Sequence, residues 1–179
     1  MCIRDSSWKA GHPAASQYRQ DFWKNERQFI QRRHHPFHAD RPTGHEYHFS
    51  LIYDENIFVG IILYWEQEQF IFIKHFCILP EMRNKQYGQK TLSFLAKQGK
   101  TLILEIDPPK DDISKRRKGF YERCGFTENF FTHIHPPYHK INEGHELTIM
   151  TYPKQISQEI FDTFSHYLKN RVMKGLLQK

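Results

Sequence analysis

An apolar run covers residues 70–79, FIFIKHFCIL, and Pro80 ends it. Residues that are nearly all apolar, β-branched or aromatic predict a central strand covered on both faces, with Cys77 in the core. From about Gln86 the period changes: Tyr87, Thr91, Leu92, Leu95 and Ala96 recur at three- and four-residue spacing, and Gly99 stands where a left-handed cap belongs. That pattern predicts an amphipathic helix with one face on a sheet. Upstream, 47–53 and 57–65 read as strands joined by the turn Asp54-Glu55-Asn56, an antiparallel hairpin. Downstream, TLILEI at 101–106 is a compact strand whose one charge is Glu105. A second helix begins near Ile113 behind Asp111 and Asp112, with Ile113, Phe120 and Cys124 expected inward and Gly125 as its cap.

The remaining pattern is coarser. Residues 126–135 read as a strand and 146–152 as its antiparallel partner, with a loop containing Pro136, Pro137 and Tyr138 between them. A terminal helix is expected over 155–177, with Ile156, Ile160, Phe164, Tyr167 and Leu168 on the face that docks on the domain or on a second copy. Residues 14–33 are helical in character, with Tyr18, Phe22, Phe29 and Ile30 inward and a break near 23–25. Residues 1–13 show no periodicity, and MCIRDS looks like a cloning scar, so they are set outside the domain. The expected organisation is thus one domain over 14–153 and a C-terminal helical segment over 154–179.

Composition narrows the partners. A formal charge of +6 and a pI near 9.2 favour an acidic ligand, either a multiply phosphorylated cofactor or a nucleic acid. No RNA-binding aromatic signature or helix-turn-helix pattern supports the second. The longest uninterrupted apolar run, 57–65, is far too short to span a bilayer, and no secretory signal is recognisable, so no membrane partner is expected. Three cysteines without CxxC spacing suit a reducing cytoplasm. His34, His35 and His38 are close in sequence, but Pro36 implies an irregular loop with no fixed ligand spacing, and no metal is expected.

The sharp passage from the central strand to the helix leaves the first N–H groups of the helix without intrahelical partners, at the positive end of its dipole. Lys85 and Lys90 lie beside this first turn, where the dipole disfavours cations, as they would if an anion binds there. The segment Pro80-Glu-Met-Arg83-Asn84-Lys85-Gln86-Tyr87-Gly88 resembles the acyl-CoA-binding turn of the GNAT superfamily of N-acetyltransferases, with Gln86 where that pattern has its first glycine. Such a substitution keeps the backbone amides, provided the position does not require a positive φ. Gly119-Phe120-Tyr121 followed by Gly125-Phe126 is similar to a second signature of the superfamily. The late strands and their Pro-Pro-Tyr loop resemble an uncharacterised bacterial subgroup.

The resemblance implies an α/β fold, a mixed and mainly antiparallel central sheet flanked by helices. The first strand that the superfamily carries is not recognisable in the sequence. It also implies acetyl-CoA as co-substrate, held by Cys77, Ile78 and Leu79 of the central strand, by Arg83, Asn84, Lys85, Gln86, Tyr87, Gly88 and Gln89, and by Ser114. Tyr121 matches a general acid near the CoA sulfur, and the N–H near Ile78 would polarise the thioester. Glu105, a lone carboxylate in an apolar strand, is the candidate base, and burial is expected to raise its pKa. His75 is the runner-up. His133, His135 and His139 fall near the expected acceptor mouth, which Tyr47, Trp65, Phe131 and Tyr138 could line. The implied reaction is direct transfer to an amine-bearing small molecule or peptide in a ternary complex. The alternative is a non-catalytic acyl-CoA-binding module, suggested by the departures at Gln86, Ser114 and Arg117.

Overall fold

The computed structural model describes residues 30–33, 46–137 and 143–174. Its elements are β1 (Ile30–Arg33), β2 (Tyr47–Asp54), β3 (Ile57–Glu66), β4 (Phe70–Ile78), α1 (Tyr87–Ala96), β5 (Thr101–Ile106), α2 (Asp112–Arg123), β6 (Thr127–Asn129), β7 (Ile134–His135), β8 (His145–Glu146), β9 (Thr148–Tyr152) and α3 (Gln158–Tyr167). A seven-stranded sheet runs β1-β2-β3-β4-β5-β9-β6, and only the β4–β5 pair within it is parallel. The short β7 and β8 pair separately.

Alternation along the strands divides the core into two layers. On one face Ile71, Ile73, Leu102, Leu104 and Ile106 pack with Leu92 and Leu95 of α1 and Tyr121 of α2. On the other, Phe70, Phe72, Ile103 and Ile149 pack under Phe161, Phe164 and Leu168. Phe164 is fully buried and meets Phe70 and Phe72 at centroid distances of 6.0 and 5.0 Å, both edge-on. The C-terminal segment therefore docks on its own domain. Its helix begins at Gln158 under a Ser157 cap, and the helical turns become π-type over Leu168–Val172. Phe161, absent from the expected face, is among its buried residues, whereas Ile160 is only half-buried.

Four other expectations change. Residues 30–33, read as the end of a helix, form β1 and pair antiparallel with β2 at the sheet edge; the rest of that helix, the three early histidines and residues 1–13 lie outside the described residues. The strand expected over 126–135 is cut after Asn129. The Asn129 amide donates to Thr151 Oγ1 at 2.8 Å and its oxygen accepts from Ile156 N at 2.9 Å, which ends β6, and Phe130 turns outward. Ile113 is 61% exposed: α2 starts at Asp112, so Ile113 falls in its first, solvent-facing turn, and Ser114 is buried instead. Cys77 is exposed, because β4 is covered on both faces only where β5 pairs with it. Tyr138 and His139 lie outside the described residues.

Candidate active site

The parallel pairing of β4 with β5 ends at Ile73 and Leu104, so the two strands diverge from Lys74 and Glu105 onward and the sheet forks there. A bulge marks the same point. Ile73 pairs with Tyr64 of β3 while His75 pairs with Leu63, so Lys74 is an extra residue. Ile73 and Phe76 both pack on the α1/α2 face, so Lys74 and His75 are both carried toward the α3 face, the face of Glu105. Beyond the bulge, Leu79 N–H donates to Val59 O at 2.9 Å, toward β3. Strand N–H groups alternate between neighbours, so the Ile78 N–H is directed into the fork. Gly60 permits this register: a Cβ on it would lie 2.1 Å from the Cys77 carbonyl oxygen.

At the open end of β4 a 3₁₀ turn, Pro80–Met82, leads to α1. Asn84 and Gln86 both have φ of 63°, and Gln86 is the helix N-cap with no side-chain cap bond. The helix carries no acidic residue in its first turn, so its dipole is left for an external anion. Arg83 reaches back, Nε to Ile78 O at 3.4 Å, and Lys85 Nζ lies 3.6 Å from Met82 Sδ. The Tyr87 hydroxyl donates to the Asp54 carboxylate, which pins the first turn of α1 to the β2–β3 turn and raises the pKa of Tyr87. Gly88 packs closely on α2: a Cβ there would stand 2.8 Å from the tip of the Phe120 ring, which would have to shift.

Gln86 thus adopts the positive φ that its side chain disfavours. Gln86→Gly is expected to raise the unfolding free energy by up to about 1 kcal/mol, the relief of left-handed strain less the added freedom of the unfolded chain. Urea denaturation checks this; a destabilised variant would mean that contacts of the Gln86 side chain outweigh the strain.

Across the fork lies a buried cluster. Glu105, 7% exposed, accepts from His133 Nε2 at 2.6 Å, and its other oxygen is 3.6 Å from His135 Nε2 and 3.8 Å from Lys74 Nζ. His135 Nδ1 donates to Pro136 O at 2.6 Å, which leaves Nε2 to accept from the Lys74 ammonium. Burial pushes the His135 pKa down to about 4, and burial also lowers that of Lys74 against the opposing pull of Glu105. For Glu105 the expected upward shift is reversed. Desolvation does raise its pKa, but the His133 hydrogen bond and the charges of Lys74 and the two histidines together outweigh it, and the carboxyl stays ionised below its usual range.

Residues 45–128 match the family model for the acetyltransferase (GNAT) domain. The chain carries a GNAT domain. A GNAT-family protein of known structure from Bacteroides thetaiotaomicron is 29% identical over 76% of this chain and 77% of its own, with a TM-score of 0.68. A GNAT family acetyltransferase from Elizabethkingia anophelis, solved with acetyl-CoA bound, superposes with a TM-score of 0.50 over 68% of this chain and 95% of its own; at 12% identity it shows the fold alone. No curated protein matches the chain. The family is one of N-acyltransferase enzymes, and the protein is accordingly a GNAT-type N-acyltransferase.

Within this GNAT domain the two residues picked from sequence as acid and base flank β5 from opposite faces. Tyr121, 9% exposed, packs edge-on to Phe120 and Phe126 in the α1/α2 layer, whereas Glu105 faces α3. Ser114 is held in a capping box: the Asp111 carboxylate accepts from Ser114 N at 2.8 Å, and Ser114 Oγ accepts from Asp111 N at 3.1 Å. Arg117 is bound to Asp107, and Lys118 bridges Glu122 and Glu128, so these two cations of α2 are paired within the domain. Lys74 was absent from the sequence candidates, and His133 and His135 were not tied to Glu105. The visible signal was Lys74-His75, two polar residues interrupting an apolar strand, which coincide with the bulge. Among the described residues no helix is long and apolar enough to cross a membrane, and no group of side chains is arranged to hold a metal.

Proposed function

We propose that the protein transfers an acetyl group from acetyl-CoA to an amine by direct attack in a ternary complex. The observation that carries this reading is the junction of an uncapped, acid-free helix start with a sheet fork whose one strand-borne carboxylate is buried. Backbone amides of Arg83 to Gln89 suit the pyrophosphate, and no acidic side chain in the first turn opposes it. The Ile78 N–H, aimed into the fork, suits the thioester oxygen. The amine lone pair attacks the carbonyl carbon, the carbon–sulfur bond breaks, and the departing thiolate takes its proton from the Tyr121 hydroxyl. The Glu105–His133 pair receives the proton that the attacking nitrogen loses once bonded to carbon, a step for which a base of low pKa suffices.

Calorimetric titration with acetyl-CoA tests the cofactor, and Tyr121→Phe tests the acid. Binding is expected in the micromolar range, and the variant is expected to bind equally while thiol release falls about 100-fold. Unchanged release removes Tyr121 from the mechanism; failure of the folded protein to bind overturns the reading.

A further inference from the structure

Lys74 has no part in the proposed acetyl transfer, yet its amine stands where an acceptor nitrogen belongs. It is the bulge residue of β4 at the point where β5 stops pairing with that strand, and its Nζ lies 3.8 Å from Glu105 Oε2 on β5. The side chain therefore crosses the inner end of the fork from one strand to the other. Two residues inward from Ile78, the Phe76 N–H has the same direction as the Ile78 N–H, so a thioester drawn along β4 advances toward this amine. Resting on the acetyl-transfer reading, we propose that Lys74 is a self-modification site: without an external acceptor, its Nζ takes the acetyl group from acetyl-CoA held in the same chain.

An amine served by the Glu105–His133 pair must bring its nitrogen within reach of that carboxylate, and Lys74 Nζ is already there. Its hydrogen bond to His135 Nε2 fixes the end of a long side chain, and Nζ also lies 5.6 Å from the centroid of the fully buried Phe72 ring. Lys74 is only 10% exposed, and burial lowers its pKa, so a larger share of it is free amine near neutral pH than of a solvated lysine. The lone pair of that free amine attacks the thioester carbon; the carbon–nitrogen bond forms and the carbon–sulfur bond breaks. The nitrogen of the adduct gives its proton to Glu105, and the departing thiolate takes one from Tyr121. The products are N-acetylated Lys74 and CoA, with no further reactant.

The test incubates the full chain, without an added amine, with acetyl-CoA whose acetyl group is isotopically labelled. Thiol release is followed, and the label is located by mass spectrometry in the peptide that trypsin no longer cuts after Lys74. Label is expected on Lys74 at least about 10-fold above the exposed Lys97 and Lys115, with a burst of about one CoA thiol per chain. The half-time is expected to stay the same when the protein is diluted, since donor and acceptor share one chain. Excess CoA, which fills the same turn without an acetyl group, should suppress the label on Lys74 and leave the slow chemical label on exposed lysines as it was. Lys74→Arg keeps the cation beside Glu105 and should abolish the burst. Label spread evenly over exposed lysines, a Lys74 rate that falls on dilution, or a burst that survives in folded Lys74→Arg overturns the proposal. So does acetyl-CoA bound, as shown by calorimetry, with no label on Lys74. Failure to bind acetyl-CoA instead overturns the reading on which the proposal rests.

Discussion

Glu105→Leu is expected to lower the unfolding free energy by about 3 kcal/mol, toward the low end of the range for removing one member of a buried charge cluster. The loss arises less from the missing attraction than from what stays behind. The Lys74 ammonium, 10% exposed and 3.8 Å from the carboxylate, would keep its desolvation cost without the Glu105 charge, and His133 Nε2 would lose its acceptor. Lys74 can shed part of this penalty by releasing its proton, since burial already lowers its pKa, and that places the effect at the low end. The decisive comparison is Lys74→Met with Glu105→Leu in one chain. Two apolar side chains filling the fork should recover the part of the loss that comes from the stranded ammonium, while the cost of the His133 Nε2 left without its Glu105 acceptor remains. Urea unfolding of the wild type, both single variants and the double closes the cycle. If the double variant is as unstable as the sum of the singles, Lys74 and Glu105 are not energetically coupled.

The reason this cluster was only partly legible is that its parts carry no local signature together. The hairpin, β4, α1, β5 and α2 all follow from periodicity within ten or so residues. Gly99 and Gly125, with φ of 74° and 86°, stand at the helix ends where the sequence indicates them. What periodicity does not contain is where a neighbouring strand stops pairing. The run from Phe70 reads as covered throughout, yet β5 leaves it after Ile73, which is why Cys77 is exposed and why Lys74 has a carboxylate opposite. FTENFFTHIH likewise reads as one strand, but Asn129 bonding to Thr151 and Ile156, and His133 turning to Glu105, break it through contacts 22 to 28 residues away in sequence. The polar IQRR of β1 offers no strand pattern; it acquires one from its pairing with β2. Gln86 is a different failure. Its identity argues against a positive φ, and the turn imposes one all the same, so the local preference and the global fold conflict at the turn between β4 and α1.

Stability is expected to fall as pH drops from about 6.5 to about 4, by about 3 kcal/mol across the window, and His135 is the residue responsible. The sign follows from the two states. In the unfolded chain the imidazole takes a proton near its ordinary pKa of 6.5; in the folded protein it resists until about 4. Between these values the unfolded state binds more protons, so acid favours unfolding, and below 4 this group adds nothing further. The folded protein resists because His135 is 1% exposed, its Nδ1 is committed to Pro136 O, and its Nε2 accepts from Lys74, whose cation would face a second one if the ring were charged. Glu105 acts in a lower window: its depressed carboxyl contributes stability above the unfolded pKa of about 4.5, which is lost as pH falls through its folded value. His135→Gln keeps an acceptor for Lys74 but has no proton to gain, so urea midpoints of that variant should change little between pH 6.5 and pH 4.5, where the wild type loses most of the effect. A variant with the wild-type slope would assign the titration to another histidine, and the neutral His135 that receives the Lys74 hydrogen bond would lose its support.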